Sequence, residues 1–530
     1  MSKTQLEGDP TVQHGAQAGR RRRGSMPRPR PFHRLPLLAA AGLVLLTGCS
    51  AQPAPVDTRA ELPDRFSASG SAVRPDAWWQ AFDDPDLTAL IQRALRDRPN
   101  LRETWARLAQ AQATAGRTAA ERWPSLSGDA EASRQQTGEL RDDGNDGRSR
   151  VGGGAAGAPL NSDNVTEDYS LGLSASYELD LWGRVDARAD AARLDAKATR
   201  QQLKAAALSL TGEVADTWYR LLAQRARLDL LQRQLETNRT VERVVEVRVL
   251  QGQAGLADLL RQRELIQQTQ EQIATAEGEV QLLENELSVL LGRAPRTGEL
   301  PDRRSLPDGP ALPRTGVPAD LIARRPDVQQ ALLRVKAADK RVAAAIAERF
   351  PRIDLTASLT SAAAAPADLF TSWTSNLAAQ LSVPLLDAGE RKAEVDRTQA
   401  VVAERLAQFE GTALTALREV EDALTRIDQQ ARRVDRLNRQ VQLARQAVQR
   451  LRSRYVNANV DFLDVLDALT RVQDLERQLI DARRQRLAAR VALARALAGG
   501  IDPPRPAGEA FEVLAPEPET ADAENQETDT

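Results

Sequence analysis

The chain has 530 residues with 72 basic and 74 acidic side chains, a formal net charge of −2. That balance argues against nucleic acid as a partner. Its single cysteine leaves no disulfide or multi-cysteine metal site within one copy, and aromatics at 4% are too few for a large globular core at this length.

The first fifty residues read as a leader. Arg20 to Arg23, Arg28, Arg30 and Arg34 precede an apolar run, Leu35 to Leu46. The run is about a dozen residues long, the size of a signal-peptide core, whereas a membrane helix needs ~20. It ends in Leu46-Thr47-Gly48-Cys49, which resembles a bacterial lipobox, so Cys49 is expected to start the mature chain and carry lipid. The alternative is an ordinary thiol beside a cleavage site. In lipoproteins of this kind an Asp after the cysteine tends to hold the protein at the inner membrane, so Ser50 favours the outer one. Met26 is a second candidate start. Without residues 1–48 the chain keeps 64 basic and 72 acidic residues, a net of −8, and both histidines, His14 and His33, are gone. The commonest general base and zinc ligands go with them, and acylation of Cys49 would remove the thiol nucleophile. No catalytic residue, metal site or cofactor is predicted. Carboxylate-only chemistry stays open as a class, with no site to name.

Past the leader, residues 49–85 form an anchoring segment and a first repeat follows over 86–300. It opens with a helix, Asp86 to Arg122, broken before Pro99. Two alternating segments come next. Leu126, Gly128, Ala130 and Ala132 alternate with polar residues. After a polar, Gly-rich stretch, Thr137 to Asp168, so do Tyr169, Leu171, Leu173, Ala175, Tyr177 and Leu179. A period of two puts the apolar set on one face of a strand. A proline-free run, Arg184 to Leu250, predicts one helix of 67 residues, about 100 Å long at 1.5 Å per residue. A turn, Gln251 to Ala257, leads into a return helix. After a linker, 301–318, a second repeat over 319–500 repeats the plan. It contains a helix, Ala319 to Arg349, two alternating runs beginning at Ile353 and Leu377, a long helix Ala388 to Val456, a turn Asn457 to Asp461 and another return helix. Residues 501–530, rich in Pro, Glu and Asp, read as a disordered tail.

The duplication is visible residue by residue. Arg98-Pro99-Asn100-Leu101 matches Arg325-Pro326-Asp327-Val328 at an offset of 227, and Gly183 matches Gly389 at 206. The alternating segments are long enough for the ~9–11 residues of a tilted membrane strand. Trp123, Trp182 and Phe350 stand at one end of them and Phe370 and Trp373 towards the other, like interfacial girdles. A small soluble sheet is the plainer alternative. Four strands cannot close a barrel alone, since the smallest have about eight, and left open they would expose two edges. The strand count therefore predicts an oligomer. A solid bundle remains the alternative for the long helices taken by themselves.

Several blocks resemble the TolC-like, NodT-type outer-membrane lipoproteins. They are Trp78-Trp79-Gln80-Ala81-Phe82-Asp83-Asp84-Pro85; Tyr177-Glu178-Leu179-Asp180-Leu181-Trp182-Gly183-Arg184; and Ala323-Arg324-Arg325-Pro326-Asp327-Val328 with Phe350-Pro351-Arg352-Ile353-Asp354-Leu355. The resemblance runs from Cys49 to Gly500. It implies a mainly α fold with a small β part: a long α-helical barrel, with four transmembrane β-strands per subunit completing a 12-stranded trimeric β-barrel. It implies a homotrimer in the outer membrane, acting as the passive channel of a tripartite efflux pump. The implied partners are a periplasmic adaptor (membrane fusion) protein, an inner-membrane RND-type transporter and outer-membrane lipid. Tyr455 aligns with the family's constriction tyrosine, and Asp464 and Asp467 with its aspartate ring. The alternative for both acids is a solvated place in a helix's first turn, where acids are favoured. Gly255, Leu256, Asn457 and Ala458 in the two turns are implied adaptor contacts. Val460 and Ala458 depart from the family's arginine and glycine, so the closed-state latch is expected to differ. A protein-secretion or metal-efflux outlet is the nearest alternative function. A non-conducting, lipid-anchored coiled-coil scaffold is the alternative of another class.

Overall fold

The computed structural model describes residues 63–72, 77–137, 164–457 and 460–506, all within one unit, Pro55–Thr530. Cys49, Ala458, residues 138–163 of the Gly-rich stretch and the tail beyond residue 506 lie outside the described residues.

In chain order the elements are α1 (Pro85–Asp97), α2 (Pro99–Ala120), β1 (Ser125–Thr137), β2 (Asn164–Leu179), α3 (Arg184–Leu250), α4 (Leu256–Leu290), α5 (Pro318–Arg324), α6 (Pro326–Ala347), β3 (Arg352–Ala363), β4 (Thr374–Ser382), α7 (Glu390–Val456) and α8 (Phe462–Leu497). The fold is mainly helical with a small β part. α3 and α7 are single helices of 67 residues each. Both begin after a left-handed glycine, Gly183 at φ 72° and Gly389 at φ 91°. Nothing lies within 4 Å of a Cβ added at either, so the backbone conformation, not space, demands glycine.

The single helix expected over Ala319 to Arg349 is instead two, α5 and α6, broken at Arg325 as the first is at Arg98. The residue before a proline is driven out of the helical region. Arg98 (φ −67°, ψ 121°) and Arg325 (φ −67°, ψ 126°) adopt nearly the same extended conformation. The strands also run further than the alternating segments. β1 reaches Thr137 and β2 starts at Asn164, so the polar stretch between them is partly strand.

Each long helix is flanked by shorter ones. α3 packs along α2, α4, α6 and α8, and α7 along α6 and α8. The aromatics are concentrated where the helices converge. Trp78, Phe82, Leu87 and Ile91 pack with Trp218 and Tyr219 of α3 and Leu287 of α4. A second cluster joins Val328 and Val335 of α6 to Val420 and Leu424 of α7. α8 serves both, with Leu487 and Val491 in the first and Ala489 and Leu493 in the second. The linker is part of this body: Arg225 donates to the carbonyl of Pro301 at 2.5 Å, and Arg303 bridges the buried Asp84 at 3.2 Å. The tail boundary at residue 501 falls too early, since Ile501 packs on the first cluster and Lys204 bridges Asp502 at 3.0 Å.

Candidate functional site

The four strands form one antiparallel sheet in the order β1-β2-β3-β4. Its register brings the alternating residues into rows. Leu126, Ala175, Ala357 and Leu377 stand side by side on one face, and Ser127, Ser174, Ser358 and Asn376 form the neighbouring row on the other. The apolar face adds Leu173, Leu355, Leu359 and Leu381, and it is open, with Leu126 74% and Leu377 84% exposed. On the polar face the hydroxyls of Ser125 and Ser176, and of Ser127 and Ser174, meet at 2.8 Å. There the Asp129 carboxylate lies across Gly172, where a Cβ would meet its oxygen at 2.6 Å. At the helix end of the sheet Trp182 stacks on Phe350 at 4.8 Å and donates to the carbonyl of Pro351 at 2.7 Å. Trp123 is exposed at that end, and Phe370 and Trp373 at the opposite one. Among the described residues, no helix is long and apolar enough to cross a membrane.

The far ends of α3 and α7, with their return helices, form the second region. The Tyr455 ring is buried among Val245, Leu259, Phe462 and Val465, drawn from both hairpins. Arg248 of α3 lies over that ring, its guanidinium carbon 4.4 Å from the centroid, and donates to the Tyr455 carbonyl at 2.8 Å. The hairpins are thus joined by a cation–π contact and a cap on the last turn of α7. Burial pushes the Tyr455 phenol up from its ordinary value; Arg248 pulls it partly back and Asp258 adds to the rise. The phenol oxygen has no hydrogen-bond partner among the described residues. Asp464 and Asp467 are exposed in the first two turns of α8. Neither has a side-chain hydrogen bond or ion pair among the described residues. Gly255 precedes α4, with its N–H donating to Asp258 at 3.4 Å. Leu256 and Asn457 are exposed. Both tips present apolar side chains to solvent, Val247, Leu250, Leu256 and Leu260 on the first and Val456 and Leu463 on the second, and the second adds the exposed Asp461, Asp464 and Asp467.

Two features have no counterpart in the sequence reading. More than three turns from the tip, at ~3.6 residues per turn, a buried amide layer crosses from one hairpin to the other. Asn238 donates to Thr269 at 3.1 Å and accepts from Gln473 at 2.8 Å, while Gln234 donates to the Gln473 carbonyl at 3.3 Å. Each residue alone looks like ordinary surface polarity on a long helix. The second is the role of the repeated arginine. Arg98 donates to the carbonyl of Val289 in the last turn of α4, and Arg325 to that of Ala496 in the last turn of α8. The signal was present in the matched Arg-Pro pairs, but a capping partner about 190 or 170 residues away cannot be read from a motif.

The family model for outer membrane efflux proteins matches residues 90–293 and 317–499. The two segments lie close to the bounds 86–300 and 319–500 expected for two repeats. The pyoverdine export outer membrane protein OpmQ of Pseudomonas aeruginosa is 32% identical over 464 residues, covering 86% of this chain and 95% of that protein. The cation efflux system protein CusC of Escherichia coli is 28% identical over 488 residues, 89% of this chain and all of CusC. Among solved structures, the open state of the Neisseria gonorrhoeae MtrE outer membrane channel superposes with a TM-score of 0.74 at 27% identity, covering 85% of this chain and 97% of MtrE.

Proposed function

The chain belongs to the outer membrane efflux protein family, and from that premise we propose that it works as a passive homotrimeric duct, performing no chemistry on what it conducts. It is the outer-membrane channel component of an efflux system. The observation that carries this reading is the continuous, exposed apolar face across four strands whose two outer edges have no partner among the described residues. In lipid every backbone polar group must be paired, so such a sheet is viable only when copies close it into a barrel. The apolar rows then face lipid and the serine and asparagine rows line the lumen, twelve strands in all from three copies. Below the membrane the helices continue the wall as a tunnel.

At the tips, Asp464 and Asp467 from three copies bring six carboxylates towards one axis, which favours cations and disfavours anions. The Arg248–Tyr455 contact ties the two hairpins of one subunit together, and opening requires their separation. The apolar first tip, with Gly255 and Leu256, and Asn457 and Ala458 in the second turn, receive a periplasmic adaptor that links the duct to an inner-membrane RND-type transporter. That transporter supplies the energy and selects the solute. Lipid on Cys49 anchors the mature chain.

The test is single-channel conductance of the purified oligomer in a planar bilayer, for wild type and for Asp464→Ala/Asp467→Ala. A small, cation-preferring current that grows or loses its preference in the variant is expected. No current from a verified trimer of either form would overturn the duct.

A further inference from the structure

An apolar pocket of about 160 Å³ opens beside the end of α8. Trp78 and Phe82 wall it on one side, Pro310 and Pro313 of the linker on another, and Leu493 and Leu497 of α8 on the third. One cation stands among them, Arg490. Its Nη1 is buried with no hydrogen bond, and no carboxylate among the described residues pairs with it. Burial lowers its pKa, and the charge of Arg486, one turn away, lowers it further. Arg486 has a carboxylate of its own, Asp308 at 3.1 Å. A half-buried guanidinium in an apolar wall is costly until a counter-charge arrives. The pocket therefore suits two groups at once. One is apolar and the size of an aromatic ring, since a cavity of ~150 Å³ takes benzene. The other is an anion.

Residues 507–530 lie outside the described residues and carry eight acidic and no basic side chains. Their large apolar residues are confined to one place, Phe511, Val513 and Leu514. We propose that Phe511 fills this pocket and that Glu509 pairs with Arg490, both within one subunit. In an extended chain Glu509 and Phe511 fall on the same side, so the two can face the pocket together. The reach is sufficient. Lys204 of α3 holds Asp502 at 3.0 Å, and Trp78 donates to Thr211 of α3 at 3.1 Å. Those two points on α3 are seven residues, about 10 Å, apart. Phe511 stands nine residues beyond Asp502, a length of chain that spans up to ~30 Å. The chain also departs from the pocket's own wall, since Leu497 is the last residue of α8. A free fatty acid would offer the same two groups, but it must be captured from solution, whereas the tail is tethered at a high effective concentration. The inference is independent of what the duct conducts and of which proteins it meets. It gives the acidic tail a task, closing an apolar opening where the N-terminal segment, the linker and α8 converge.

The experiment puts p-azidophenylalanine in place of Phe511 in the full-length chain in cells. The photo-cross-linked peptide is then identified by mass spectrometry. The expected product runs as a single chain on a denaturing gel and joins position 511 to the α8 peptide carrying Leu493 or the linker peptide carrying Pro313. The same probe in place of Glu524 should give no such product. Arg490→Glu should cut the yield roughly tenfold, and so should Glu509→Arg, which leaves every wall of the pocket untouched. Combining the two changes should restore it. A cross-link to lipid, to another protein, to a second copy or to a different face of this chain would overturn the proposal, as would no cross-link at all. So would a yield that Glu509→Arg leaves unchanged, or one that the double variant fails to restore.

Discussion

Tyr455 is held by what its ring touches and not by its hydroxyl. The ring contacts Phe462 at 5.6 Å between centroids and lies under Arg248, while the phenol oxygen is buried without a partner. Tyr455→Phe should therefore leave conductance and thermal stability near wild type, while Tyr455→Ala removes a buried ring and costs roughly 3 kcal/mol. Arg248→Ala should raise the open-channel current, because it deletes both the cation–π contact, worth about 1 kcal/mol, and the cap on α7. A Phe variant as leaky as the Ala variant would show that the hydroxyl, not the ring, holds the tip. Asp327 gives a pH prediction. Burial pushes its carboxyl up, but the hydrogen bonds and charge of Arg325 and the N–H of Val328 more than offset this and leave it below the ordinary value. A depressed carboxylate stabilises the fold above its unfolded pKa, near 4, and that contribution is lost as pH falls through the lower folded value. Melting of the purified oligomer below about pH 4 should become less pH-dependent in Asp327→Asn. An unchanged acid limb would mean that the Arg325–Asp327 pair, 2.6 Å apart, is not a pH-sensitive tie.

At the scale of elements, the long helices and the sheet were legible because their signals are local and repeated. A long proline-free run rich in Ala, Leu and Gln favours a helix, and α3 ends where Leu250 meets Gln251-Gly252. Strand alternation at Tyr169 to Leu179 was plain, but the strands' outer thirds, such as Arg134 to Gln136 and Val165 to Glu167, are held by pairing across the sheet rather than by pattern. What stayed hidden was any interaction between distant helices: the Arg98 and Arg325 caps, and the amide layer around Asn238. That layer sets how the hairpins align, since a buried amide meets its partners in one register only. Asn238→Leu strands the Gln473 side-chain N–H and should cost about 2 kcal/mol, seen as a lower melting temperature. Replacing Gln473 by leucine as well removes the stranded donor, so the double variant should melt closer to wild type than the single one. If both variants melt together at the wild-type temperature, the layer contributes nothing to hairpin alignment.

For the whole molecule the decisive quantity is the fate of the two edges. Among the described residues β1 pairs only with β2 and β4 only with β3, so both carry an outer row of backbone groups with no strand partner there. In hydrocarbon each orphan group costs several kcal/mol, far more in sum than a folded subunit could spare. Closure must come from other copies, and β1 of one against β4 of the next is a head-to-tail contact that closes only as a ring. Four strands per copy permit barrels of eight, twelve or sixteen, and three copies give the twelve-stranded wall proposed. Native mass spectrometry of the detergent-extracted protein should therefore report three chains. Amide hydrogen exchange should find β1 and β4 protected to the same degree as the interior strands β2 and β3. A mass of two or four copies would overturn the twelve-strand count while leaving closure intact. Fast exchange confined to the outward amides of β1 and β4, in an oligomer of verified mass, would overturn closure itself. The subunits would then be held by their helices, which is how a periplasmic scaffold with no pore would be built.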